Sequence, residues 1–180
     1  MTAAFRASCP RLLVLLLSAA GAVAAESPRA ITLSERLPFA EDAAGDVGIT
    51  GGPGGMAKGI EERCDLQRAI PRAIAAAAAR KHVTVVLSEN PEAAAGPVLA
   101  ITIEGVMGMR GGAWTGAKSL TLRGELRDGA AVLGSFVARA ERTSLAKGIC
   151  ATLIDAGEEL AAPIAKWLQK PVMKARLGEA

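Results

Sequence analysis

The stretch KSLTLRGELRDGAAVLGSFVAR, residues 118–139, decides the fold. Leu120, Leu122 and Leu126 alternate with Thr121, Arg123, Glu125 and Arg127. That period of two is the pattern of a strand with one apolar face and one wet face. Asp128-Gly129 follows at once, and Ala131 through Arg139 resumes an extended run; an Asp-Gly pair between two such runs marks a β-hairpin. An antiparallel sheet with one solvated side is therefore the anchor of the fold.

Outward from the hairpin, Val98 to Val106 alternates Leu99, Ile101 and Ile103 against Thr102 and Glu104. Val83 to Leu87 is short and β-branched, and Ile31 to Leu37 can alternate as a first strand. Between these lie Leu66, Ile70, Ile74, Ala77 and Ala78 at helical spacing, which predicts a helix from about Asp65 to Lys81. Asp65 is placed to cap it, and Pro71 removes one bond from its ladder. Beyond the hairpin, Ile149, Leu153, Ala156, Leu160, Ile164, Trp167 and Leu168 form one stripe of a helix from about Ser144 to Gln169. Gly148 and Gly157 within it point to close packing. The order strand, helix, strands, helix predicts an α+β fold, with an antiparallel sheet of four to five strands and both helices packed on one face.

The N-terminus carries a different signal. Arg6 and Arg11 precede an apolar run from Leu12 to Leu17, which ends in Ala22-Val23-Ala24. Charge, apolar run and small residues in that order read as a secretory signal peptide over 1–25, cleaved after Ala24. The span 12–25 is shorter than the roughly 20 residues a membrane-crossing helix needs, so no integral membrane segment is expected after cleavage. Residues 26–60 read as an irregular arm carrying the candidate first strand, interrupted by Pro38 and by Gly51-Gly52-Pro53-Gly54-Gly55. Residues 61–171 read as a single α+β domain, and 172–180 as a basic tail. The expected location is periplasmic, as an exported, soluble protein.

Removing the leader takes away Arg6 and Arg11 and lowers the formal charge from +3 to +1. The remaining cations form no long cluster, so a nucleic-acid partner is not expected. Cys64 and Cys150 survive cleavage and form a disulfide candidate in an oxidising compartment, with two buried free thiols as the alternative. Such a bridge would tie the N-terminal ends of the two helices, and it requires their Cα atoms to lie within about 7 Å.

Residues 109–119, MRGGAWTGAKS, come within one residue of a phosphate-binding loop, but Ala117 separates Gly116 from Lys118 and a strand follows where that motif needs a helix. The plainer reading is a Gly-rich connection between strands with Trp114 folded back on the sheet. Arg110, Trp114 and Lys118 then make it a candidate partner-binding loop. His82 is the only histidine and sits where the first helix ends. Without further ligands or a triad signature, no catalytic, cofactor-binding or metal site is expected.

Two passages carry a resemblance. Gly-Gly-Ala-Trp-Thr-Gly-Ala-Lys-Ser-Leu from Gly111 and Gly-Ser-Phe-Val-Ala-Arg from Gly134 resemble a family of uncharacterised exported proteobacterial domains. Cys64-Asp65-Leu66-Gln67, Cys150 and Trp167-Leu168 fit the same pattern. In architecture that family is similar to periplasmic α/β domains of envelope lipoproteins such as the curli-secretion pore subunit, although this chain has no lipid-bearing cysteine at the end of its leader. The resemblance implies no catalytic residue. The expected function is that of a non-enzymatic periplasmic protein, binding an envelope partner or itself. The alternatives are a small-ligand or lipid-binding module that holds its ligand between helices and sheet, and a hydrolase using His82.

Overall fold

The computed structural model describes residues 30–40, 64–108, 118–144 and 147–178. Along the chain these form β1 (Ile31–Ser34), α1 (Leu66–Ala79), β2 (Val85–Ser88), a 3-10 turn (Pro91–Ala93), β3 (Val98–Gly108), β4 (Lys118–Asp128), β5 (Ala131–Arg142), α2 (Ile149–Gln169) and β6 (Ala175–Gly178). The strands build one six-stranded sheet in the order β2-β1-β3-β4-β5-β6.

The α+β class and the helices on one face are as expected, but the sheet is larger than four to five strands and is mixed rather than antiparallel. β3, β4 and β5 are antiparallel, whereas β1 runs parallel to both β2 and β3, and β6 runs parallel to β5. The physical reason is the connections: α1 carries the chain back between β1 and β2, and α2 does so between β5 and β6. A helical return leaves the second strand pointing the same way as the first. The sixth strand comes from residues expected to form a tail.

The element ends move for local reasons. β1 stops at Ser34 because that side chain turns the backbone: Ser34 Oγ donates to the carbonyl of Arg36 at 2.7 Å and accepts its N–H. The chain then returns to β3, where Ile103 N–H donates to Pro38 O and Ala40 N–H donates to Ile103 O, each at 2.9 Å. α1 ends in a reciprocal cap, with Val83 N–H bonded to Ala78 O and His82 N–H to Ala79 O. Val83 is consumed by that cap, so β2 begins two residues later. α2 starts at Ile149, because Ser144 Oγ holds the N–H of Lys147 in a turn and Gly148 is the N-cap.

The core lies between the helices and one face of the sheet. Leu99, Ile101, Ile103 and Val106 of β3, Leu120, Leu122 and Leu126 of β4, and Phe136, Ala138 and Ala140 of β5 point into it. They meet Ile70 and Ile74 of α1 and Leu153, Leu160, Ile164 and Trp167 of α2. Trp167 stands edge-on to Phe136, ring centroids 4.9 Å apart, and its indole N–H donates to Val172 O at 3.1 Å. Gly157 lets the helices approach: a Cβ there would come within 2.8 Å of Ile70 Cγ1. Gly148, expected to pack closely too, faces open space.

Cys64, just before α1, and Cys150, in the first turn of α2, form a disulfide with Cα atoms 5.0 Å apart. It ties the N-terminal ends of the helices, so of the two alternatives, bridge or free thiols, the structure has the bridge.

Candidate functional site

Two helices cover one side of the sheet, and among the described residues no element packs on the other. The alternation that buries Leu120, Leu122 and Leu126 turns Thr121, Arg123, Glu125 and Arg127 outward. In β5 the same rule presents Ser135, Val137, Arg139 and Glu141, and in β6 it presents Arg176. The register brings these together. Arg123 of β4 and Arg176 of β6 lie on either side of Val137, and Arg139 is the next outward residue along β5.

A β-bulge shapes one border. Ile103 pairs with Leu122 and Gly105 with Thr121, so Glu104 is the extra residue of β3. The bulge shifts the alternation by one, which returns Val106 to the core and leaves Glu104 on the open side, where its carboxylate accepts from Arg123 Nε. That hydrogen bond, and then the charge of Glu104, raise the Arg123 pKa above its ordinary value, so the guanidinium is permanently charged. Arg127 Nε is held in the same way by Glu125, whereas Arg139 and Glu141 approach only to 3.8 Å.

The result is a groove of about 790 Å³ across the open face. Ala100 and Val137 turn aliphatic side chains into it, while Ala175 and Leu177, in register with Phe136 and Ala138, border it with their backbone and pack their side chains toward the core. Five cations, Arg123, Arg127, Arg139, Lys174 and Arg176, border it together with the carboxylate of Glu125. Lys174 is fixed at the mouth by a backbone φ of 55° and by its N–H, which donates to Ser135 Oγ at 3.0 Å. Among the described residues no carboxylate pairs with Lys174 or Arg176.

The residues singled out in the sequence fall elsewhere. Ala24, Arg110 and Trp114 lie outside the described residues. Lys118 is the first residue of β4 and is buried, in register with Gly108 and Arg142, so it is not presented on an exposed loop. His82 occupies the left-handed position of the α1 cap, φ 58°, and does not line the groove. Among the described residues no group of three or more His, Cys, Asp or Glu side chains could hold a metal ion, and no helix is long and apolar enough to cross a membrane. Among the described residues, core side chains meet between the helices and the sheet, and the groove lies on the opposite face.

No family model matches the sequence, and no curated protein matches it. Several solved structures are similar to this chain, three of them as follows. An uncharacterized protein shares 14% identity, covering 77% of this chain and 92% of its own, with a TM-score of 0.53. PelC from Paraburkholderia phytofirmans, solved as a dodecamer, shares 16%, covering 76% of this chain and 93% of its own, with a TM-score of 0.44. A Xanthomonas campestris protein assigned to DUF330 shares 14%, covering 77% of this chain and 83% of its own, also with a TM-score of 0.44. At 14% identity the first likeness establishes the fold alone.

Proposed function

We propose that this chain is an exported, non-catalytic binding protein of the cell envelope, working in the periplasm through the uncovered face of its sheet. The observation that carries the reading is the groove. The open face sets Arg123, Arg127, Arg139, Lys174 and Arg176 against Glu104, Glu125 and Glu141, which leaves Lys174 and Arg176 without a carboxylate partner among the described residues, beside the aliphatic side chains of Ala100 and Val137. The N-terminal sequence, with its charged start, apolar run and small residues before Ala25, supports export, and the Cys64–Cys150 disulfide is what an oxidising compartment permits. The resemblance to exported domains and to periplasmic parts of envelope-assembly lipoproteins supports the same location.

Crosslinking in intact cells tests the reading. A photoreactive residue at Val137, on the groove floor, should yield discrete adducts. The same residue at Glu158, on the solvent side of α2, should yield none. Equal labelling from the two positions, or none from Val137, overturns it.

A further inference from the structure

We infer that the groove on the open face binds an anionic amphiphile: an aliphatic chain ending in a carboxylate or phosphate head. The inference rests on the binding reading above and names the ligand class for the same surface.

The composition of the groove selects among anions. Arg123, Arg139 and Arg176 surround Val137 by register, so a negative head placed at any of them lies directly beside aliphatic carbon. Arginine stems extend that carbon, because only the end of the side chain must stay wet. Arg123 and Arg127 are engaged through Nε by Glu104 and Glu125, which leaves their terminal nitrogens for an oxyanion. Lys174 and Arg176, without carboxylate partners among the described residues, supply charge that nothing within the groove neutralises. The groove, about 790 Å³ and partly open to solvent, is larger than a free phosphate would occupy.

Other anions fit less well. Single-stranded nucleic acids are gripped by aromatic side chains on which bases stack, and the Phe136 ring faces Trp167 in the core instead of the groove. Among the described residues no other aromatic lines the groove, which gives a sugar ring no platform from them. What remains is carbon beneath and positive charge around the border, the complement of an amphiphile with an acidic head.

The test is calorimetric titration of the purified exported protein with monomeric laurate, lauroyl lysophosphatidylglycerol and, as a chain of equal length without charge, lauryl maltoside. Tighter binding of either anionic probe than of the maltoside, by about tenfold, is expected, and which of the two binds tells carboxylate from phosphate. The combined Lys174→Gln and Arg176→Gln substitutions, at exposed positions, should remove that tenfold preference while the melting temperature stays unchanged. Val137→Asp should abolish binding of all three probes. Equal affinity for the maltoside, an unaltered preference in the double variant, or acetate and phosphate binding as tightly as the lipids each overturn the inference. Association with phosphatidylglycerol vesicles without binding of the monomeric lipids also overturns it and makes the face a membrane-docking surface. Failure here with Val137 still crosslinking to an envelope protein would leave the binding reading standing.

Discussion

The backbone N–H of Leu37 donates to the carbonyl oxygen of Gln67 at 3.0 Å, and that carbonyl is the one Pro71 cannot use. In a regular helix the N–H of residue 71 would close the bond to residue 67; proline has none. The vacancy is filled from outside the helix, by the segment that follows β1. Arg36 reinforces it, with Nε donating to Gln67 Oε1 at 2.6 Å. A residue that weakens α1 locally thus secures the chain between β1 and β3.

Pro71→Ala checks this exchange. Replacing an interior proline with alanine in an isolated helix gains about 3 kcal/mol. Here the new N–H competes with Leu37 for one carbonyl, so the gain in urea denaturation should fall well below that figure. Hydrogen exchange at the Leu37 amide should quicken in the variant. A full gain with unchanged exchange would mean that the Leu37 bond contributes nothing.

Gly157→Ala is expected to destabilise despite favouring the helix. Alanine gains about 1 kcal/mol of propensity over glycine. Its Cβ would lie 2.8 Å from Ile70 Cγ1, on the fully packed contact between α1 and α2. Overpacking of that kind costs about 1 to 3 kcal/mol, so the net loss should reach up to about 2 kcal/mol. Gly148→Ser, at an N-cap with open space around it, should instead be neutral or slightly stabilising, and comparing the two denaturation midpoints separates close packing from propensity.

His82→Gly should stabilise the protein. Histidine at φ 58° occupies a left-handed position that glycine adopts freely, and relief of that cost is worth about 1 kcal/mol. Thermal melting reads the gain, and crosslinking from Val137 should be unaffected. Loss of a hydrolytic activity in His82→Ala would favour the hydrolase alternative over the binding reading.

These residues show how far the sequence can be read. The β4–β5 hairpin was legible because its period and its turn agree: Gly129 takes φ 58° at the first turn position, where a two-residue loop needs glycine. The helices were legible from their stripes. Even the bulge at Glu104 leaves a trace, in the slip from Leu99, Ile101 and Ile103 to Val106. β6 was hidden because four residues, Ala175–Gly178, are too few for a period and carry a charge that reads as a tail. The groove was only half visible. Arg123 and Arg127 show as the wet side of a strand, but their meeting with Arg139 and Arg176 depends on register across two further strand pairings, one of them parallel. Pairing of that kind is decided by which helix returns the chain and where, a tertiary fact that no local window contains.

The disulfide supplies the last prediction. Cys64 and Cys150 are 86 residues apart and close a loop that includes α1 and the strands β2 to β5. In the chain-entropy model a loop of that length is worth about 4 to 5 kcal/mol, drawn from the unfolded state. The core itself does not depend on the bond, since the α1–α2 contact is carried by Ile70, Gly157 and their neighbours. The Cys64→Ser, Cys150→Ser double variant should therefore keep its fold and lose about 2 to 5 kcal/mol, seen as a lower urea midpoint for the same circular dichroism spectrum. Reductant should lower the midpoint of the native protein to that of the variant and leave the variant unmoved. An equal midpoint with and without reductant in the native protein would mean that the bridge is not formed in solution.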